Sequence, residues 1–159
     1  MTKRVTMAAV TAGHAEGGTP LNAFDNALLA AGIGNVNLIK VSSILPPDVL
    51  VTDLPKLRPG ALVPTAYAAM TSDVPGETIA AAVGYAVPDD PARNGVIMEF
   101  HGATTRAEAE RQIRTMLEEA FRVRGETMRE LRVVAVEHTV ERIGCAVAAI
   151  ALLSDDDLV

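Results

Sequence analysis

The chain has 159 residues, 49% of them hydrophobic, a formal net charge of −6 at pH 7 and one cysteine. The acidic balance speaks against non-specific nucleic-acid binding, which needs a basic face, and a lone cysteine excludes a disulfide framework or a thiolate zinc cluster. No run of about 18 apolar residues is present to span a membrane; the length suits one domain with a sizeable core, and the expectation is a single soluble, cytoplasmic domain over residues 1–159.

Residues 5–10 read as a first strand, too short and too interrupted in apolar character for a signal segment. Residues 11–18 follow as a glycine-rich loop. Thr19-Pro20 marks a helix start, with a hydroxyl N-cap ahead of a proline at the first helical position. Leu21, Phe24, Leu28 and Leu29 share one face of that helix, and Gly32 ends it. A strand over residues 35–41 delivers Ser42-Ser43, and Pro46-Pro47 prevents it from continuing, because proline lacks an N–H and fixes φ.

Residues 48–60 read as a strand-and-turn connection, 61–70 as a strand and 71–77 as a turn. Strands at 78–87 and 95–101 flank the polar loop Pro88-Asp89-Asp90-Pro91. The clearest helix covers residues 105–124: Thr105-x-x-Glu108 forms a capping box, Ala109, Ile113, Met116, Leu117, Ala120 and Phe121 make an apolar stripe, and Gly125 closes it. Strands at 131–139 and 144–153 follow, and residues 154–157 read as a solvated end. The order β-α-β-β-β-β-α-β-β points to an α/β sandwich with mixed or antiparallel sheets, since several strand pairs lack a helical crossover.

Few local motifs carry chemistry. The spacing Gly13-x-x-x-Gly17-Gly18 matches neither the dinucleotide fingerprint nor the P-loop, so it reads as a turn. His14, His101 and His138 lack the spacing that would set two on one face, and read as individually placed, hydrogen-bonded side chains. Cys145 sits in an apolar strand and reads as core. Glu99 alternates onto the face of Ile97, opposite Met98 and Phe100, which leaves two readings: an exposed sheet edge, or a pocket where the carboxyl is poised to donate a proton. Asp25, by itself, reads as a surface acid. The serine pair is suggestive on chemical grounds, because a rigidly held hydroxyl next to the preceding carbonyl is able to attack its own backbone.

Several long blocks together carry a more specific signal. Glu16-Gly17-Gly18-Thr19-Pro20-Leu21-Asn22-Ala23-Phe24-Asp25, Gly32-Ile33-Gly34-Asn35-Val36-Asn37-Leu38-Ile39 and Ser42-Ser43-Ile44-Leu45-Pro46-Pro47 resemble the pyruvoyl-dependent arginine decarboxylase family. The likeness continues through Gly60–Tyr67, Ser72–Thr78, Ile97-Met98-Glu99 and Ala135–Glu141, nearly the whole chain. It implies an α+β-type αββα sandwich and a proenzyme cut between Ser42 and Ser43 into a small chain, 1–42, and a large chain, 43–159. The Ser43 hydroxyl would attack the Ser42 carbonyl, and ester formation, β-elimination and hydrolysis would leave a pyruvoyl group at position 43, a covalent cofactor that needs neither metal nor pyridoxal phosphate (PLP).

The implied reaction is decarboxylation of L-arginine to agmatine and carbon dioxide through a Schiff base, serving polyamine synthesis or acid resistance. Within the resemblance, Glu99 matches the general acid and Asp25 the acid that binds the guanidinium. Asn37 matches a residue of the cleavage step, and Gly34, Val36 and Ser42 match positions lining the substrate pocket. The family forms trimers of chain pairs with the site between protomers. Lys40 stands where arginine is common, and His101 where glutamate is frequent. The same chemistry on another amino acid, and an uncleaved trimeric ligand-binding homologue, remain open at this point.

Overall fold

The computed structural model describes residues 3–159. In chain order its elements are β1 (Met7–Glu16), α1 (Pro20–Ala30), β2 (Asn37–Lys40), β3 (Ile44–Leu45), β4 (Leu50–Asp53), β5 (Leu62–Ser72), β6 (Thr78–Pro88), β7 (Gly95–Gly102), α2 (Arg106–Arg124), β8 (Met128–Thr139) and β9 (Gly144–Leu153), then a 3-10 turn at Asp155–Asp157. They form two sheets, β2-β5-β9-β1-β4 and β3-β7-β6-β8. The first is mixed, with β1–β4 and β2–β5 parallel, and the second is antiparallel throughout.

The layers follow from the alternation of side chains along each strand. On β9, Ala146, Ala148, Ile150 and Leu152 face the other sheet, where they meet Ile79, Ala81, Val83, Tyr85 and Ile97. The alternate residues Cys145, Val147 and Ala149 pack against α1. On the far side, Ala80, Ala82, Ala86 and Val96 receive the stripe Ala109, Ile113, Leu117 and Phe121 of α2. The result is a helix, sheet, sheet, helix sandwich, the αββα architecture implied by the family resemblance.

Three local readings change. Residues 11–16 are not a loop: β1 runs on to Glu16, paired with β9 from Met7↔Leu153 to Glu16↔Gly144. The buried face of α1 is Ala23, Ala27 and Leu28, whereas Leu21 and Leu29 point outward, 75% and 47% exposed. The first follows from the ladder with β9; the second follows from a close approach between helix and strand. A Cβ on Gly13 would lie 2.6 Å from Ala31 N and 2.7 Å from Ala27 O, and one on Gly17 would lie 2.6 Å from Ala23 Cα. Glycine on the strand and alanine on the helix let the backbones nearly touch, so small residues define the interface and the leucines are turned away from it.

The third change is at the C-terminus. Ser154–Asp157 is only in part a solvated tail: Asp155 and Asp156 are exposed, but Ser154 and Asp157 are buried, and Asp157 pairs with Lys3 Nζ at 2.7 Å and accepts from Ser154 N at 2.8 Å. Burial raises its carboxyl, but the Lys3 ammonium and the Ser154 donors outweigh that and hold it below the usual range. The helix starts agree with the sequence, since Thr19 Oγ1 accepts from Asn22 N at 3.1 Å and Thr105 Oγ1 from Glu108 N at 3.2 Å. Only half of the capping box at Thr105 is formed, because the Glu108 carboxylate turns to Arg111 and Gln112. Gly125, at φ +68°, ends α2 in the left-handed conformation.

Gly17→Ala and Gly18→Ala separate packing from propensity. The first forces a methyl into the α1 backbone and is expected to cost about 1–3 kcal/mol by overpacking; the second adds a methyl with no atom within 4 Å. Denaturant unfolding of both variants should show a loss only for Gly17→Ala, and equal losses would refute the close-approach account.

Candidate active site

Beyond β2, Val41 N still donates to Thr65 O at 3.2 Å, after which the chain leaves the five-stranded sheet and crosses to the edge of the four-stranded one. There β3 pairs with β7 at Ile44↔Val96 and Leu45↔Gly95, and Ile97 N donates to Ser43 O at 3.0 Å. Pro46 follows directly, so β3 is confined to two residues. Ser43 is held at φ +104°, a region that costs a residue bearing a side chain about 1–3 kcal/mol. Its hydroxyl donates to Glu99 Oε2 at 2.8 Å.

Glu99 reaches Ser43 because β7 alternates. Ile97 packs in the core between the sheets while Met98 and Phe100 pack toward α2, which leaves Glu99 on the inner face at the sheet edge, half-buried. The two readings of Glu99 from sequence thus merge: it is at an edge and also in a cleft. That cleft, of about 390 Å³, is bounded by Ser42, Ser43, Ile44, Met98, Glu99 and Arg124. Arg124 escapes a reading of the sequence, where a basic residue in the last turn of a helix is simply complementary to the helix dipole. Only the packing of α2 over β7 brings it here.

The remaining candidates lie outside this cleft. Asp25 is exposed on α1; Gly34 and Val36 are in the loop before β2. A Cβ on Gly34 would meet the side chain and Cα of Leu29 at 2.6–2.8 Å, so this glycine also serves the close seating of α1. The Asn37 side chain donates to Gly60 O at 3.2 Å. Asn37 lies five steps before Ser42 along an extended segment, roughly 16 Å at about 3.3 Å per residue, so its amide does not reach the Ser42 carbonyl of its own chain. Residues 42, 43 and 99 are brought together within one chain, whereas residues 25, 34, 36 and 37 do not join them. His101, two positions past Glu99, is exposed. A larger hollow of about 760 Å³ between the N-terminal segment and the C-terminal turn contains none of the candidate residues.

Two of the histidines are not individually placed. His14 Nδ1 lies 2.8 Å from His138 Nδ1, so one ring donates and the other accepts. His138 Nε2 contacts Glu16 Oε2 at 2.5 Å. His14 shares the face of Ala12 on β1 and His138 that of Val136 on β8, so the pair bridges the two sheets at one end of the sandwich. No short-range spacing encodes a contact between residues 124 positions apart. Glu16 also accepts from the main-chain N–H groups of Arg142 at 2.8 Å and Ile143 at 3.1 Å. Burial acts to raise its carboxyl, but the His138 hydrogen bond and the main-chain donors prevail and lower it from 4.5 to about 2.

Cys145 is buried against α1, and burial pushes its thiol up, away from thiolate chemistry. Among the described residues, no group of three or more His, Cys, Asp or Glu side chains is arranged to hold a metal ion. No helix among them is long and apolar enough to cross a membrane.

Known proteins share this chain's pattern over almost its full length. The family described as pyruvoyl-dependent arginine decarboxylase matches residues 7–157. A protein of that name from Methanocaldococcus jannaschii is 56% identical over 143 residues, covering 90% of this chain and 87% of its own. Another from Methanococcus maripaludis is 49% identical with the same coverage, and one from Pyrococcus abyssi is 48% identical over 148 residues, covering 91% of this chain and 93% of its own. The chain belongs to the pyruvoyl-dependent arginine decarboxylase family.

The Glu16 cluster has a measurable pH signature. A carboxyl lowered on folding contributes stability that is present above its unfolded value and is lost as pH falls through the folded one. Wild-type stability should therefore decline between about pH 4.5 and pH 2 in part through Glu16. Glu16→Gln should be less stable at pH 7 by about 1–2 kcal/mol and show a shallower decline on acidification. Urea unfolding across this range checks it, and parallel curves for the two proteins would rule it out.

Proposed function

We propose that this chain is a proenzyme that cuts itself between Ser42 and Ser43 and then decarboxylates L-arginine to agmatine and carbon dioxide. One observation carries the reading: the strained Ser43, at φ +104°, presents its hydroxyl to the Glu99 carboxylate at 2.8 Å. Family membership and the names of the relatives support arginine as the substrate.

The cut follows from these groups. Glu99 Oε2 takes the hydroxyl proton as Ser43 Oγ attacks the Ser42 carbonyl carbon through a five-membered ring. The Ser42–Ser43 C–N bond breaks, the nitrogen takes up a proton, and an ester replaces the amide. Removal of the Ser43 α-proton expels the Ser42 carboxylate from Cβ, and water then replaces the nitrogen of the resulting unsaturated residue, releasing ammonia and leaving a ketone. The φ torsion of residue 43 ceases to exist when its peptide nitrogen departs, so the strain stored there is released in the cut state.

The geometry of this chain fits a pyruvoyl group at position 43, since Ile97 N holds the carbonyl oxygen of residue 43 and Glu99 lies beside its side chain. Such a group supplies a ketone for the substrate α-amine and an adjacent carbonyl that draws off the electron pair left by departing carbon dioxide. Glu99 is the proton donor for the α-carbon. Ser42, as the new C-terminus, remains on the wall of the cleft. Asp25 takes the guanidinium through paired hydrogen bonds, Gly34 and Val36 shape the path to it, and Asn37 polarises the Ser42 carbonyl during the cut.

These last four residues work on a neighbour's cleft. The separation of Asn37 from its own Ser42, and the exposure of Leu21 and Leu29 on the helix that carries Asp25, support a homotrimer in which one protomer's α1 and β2 complete the next protomer's site. The enzyme is then a cytoplasmic one acting on a small amino acid, with no nucleic-acid or membrane partner.

Intact-mass measurement and a denaturing gel test the first half of the reading. The 16.7 kDa chain should give a fragment of about 4–5 kDa, 42 residues at typical residue mass, and Ser43→Ala should stay whole. Carbon dioxide release across a panel of amino acids tests the second half, and activity on aspartate but not arginine would overturn the substrate. Glu99→Gln should slow both the cut and turnover, by about 10²–10⁴-fold for a lost proton-transfer group; an unimpaired variant would remove Glu99 from both roles.

A further inference from the structure

We infer that Arg124 is the binding site for the substrate's α-carboxylate, a role assigned here on the strength of the decarboxylase reading above. The argument begins with where that carboxylate must be. The α-amine and the carboxylate hang from the same carbon, so a substrate whose amine meets residue 43 carries its carboxylate into the cleft lined by Ser42, Ser43 and Glu99. Among the residues lining that cleft, Glu99 is the one acid and Arg124 the one base. A second carboxylate appears there when Ser42 becomes a chain end. An anionic substrate group entering such a space is repelled unless a cation answers it.

Arg124 is built for that task. It is the last residue of α2, where Gly125 at φ +68° turns the chain away, and its Nη1 donates to Ala120 O at 3.2 Å. That single bond fixes the side chain along the helix end and leaves the rest of the planar guanidinium free to grip a carboxylate through two parallel hydrogen bonds. Among the described residues no carboxylate forms an ion pair with it, in contrast to Arg93, Arg106 and Arg111, which are all paired. The substrate then spans the site between two ion pairs of opposite sense: its guanidinium on the carboxylate of Asp25, its carboxylate on the guanidinium of Arg124.

The same geometry dictates which kinetic constant responds. Carbon dioxide leaves uncharged, so a cation paired with the carboxylate holds the ground state and loses its partner as the reaction proceeds. Arg124 therefore serves binding and orientation and does not lower the chemical barrier. Its exposed position keeps the pair screened and moderate in strength.

The test compares wild type with Arg124→Ala and Arg124→Lys after a gel has verified the cut in each. Steady-state rates are measured on L-arginine, and agmatine, which lacks the carboxylate, is used as a competitive inhibitor. Arg124→Ala should raise KM for arginine about tenfold with kcat undiminished, and leave agmatine inhibition within about twofold of wild type. Arg124→Lys, which keeps the charge and loses the fork, should fall between. An unchanged KM overturns the inference. So does a parallel loss of arginine and agmatine affinity, which would assign Arg124 to the fold or to the Ser42 carboxylate. If Arg124→Ala fails to fold or to cut, Arg124→Lys decides alone: a KM increase confined to arginine sustains the inference, and equal effects on arginine and agmatine defeat it. Wild type that releases no carbon dioxide from arginine would refute the decarboxylase reading itself, whereas an active wild type with indifferent variants would refute only the role of Arg124.

Discussion

Residue 43 is tethered at two points to one strand. Ile97 N grips its carbonyl oxygen and Glu99 its hydroxyl, both from β7, and between these anchors the backbone is held at a φ that serine rarely adopts. Neither tether would suffice alone. The carbonyl bond sets the register of β3 against β7, and the hydroxyl bond sets the rotamer of Ser43 beside the carboxylate. The rest of the sandwich makes this arrangement rigid: β7 is backed by α2 on one face and by the inter-sheet core on the other, so the strand does not yield to relieve the torsion.

That rigidity is achieved with small side chains. The core between the sheets is largely alanine and valine with a few isoleucines, and the chain has no tryptophan and only two tyrosines and three phenylalanines. Thin layers bring strand backbones of opposing sheets and helix backbones close together, as at Gly13 and Gly17 beneath α1. Interiors of this kind tolerate little change in volume. They also leave larger apolar residues such as Leu21 and Leu29 to the exterior, where they lie on the helix that bears Asp25.

What was legible in the sequence follows the range of the interactions concerned. Helix caps at Thr19 and Thr105, the stripe on α2 and the strands from β5 to β9 are written in local pattern, and the alternation of β7 placed Glu99 on the right face. The role proposed for Ser42-Ser43 rests on the family blocks, because no periodicity provides it. Contacts between distant segments were not legible. The pairing of His14 with His138, the end of α2 at the serine cleft and the Lys3–Asp157 ion pair join residues that no spacing rule connects. The face of α1 departs from the sequence pattern for a different reason: hydrophobicity ranks leucine above alanine, but the close seating of the helix on Gly13 and Gly17 selects the smaller residue.

The place of β1 in its sheet has a consequence for the cut form. β1 lies between β9 and β4, and β2 lies against β5, so residues 1–42 contribute an inner strand, an edge strand and a helix to a structure whose other strands all lie beyond residue 43. Severing the bond at residue 42 would leave that piece seated as firmly as before, but folding would change its molecularity. The uncut precursor refolds as one chain at any dilution. Under the proposed cut, a matured protein that unfolded would have to recapture its missing fragment from solution, and residue 43, converted to a pyruvoyl group, would offer no chemistry to rejoin it. Maturation by that cut would therefore make unfolding a dilution-dependent loss, and the intact precursor would be the form in which the fold is most readily reached.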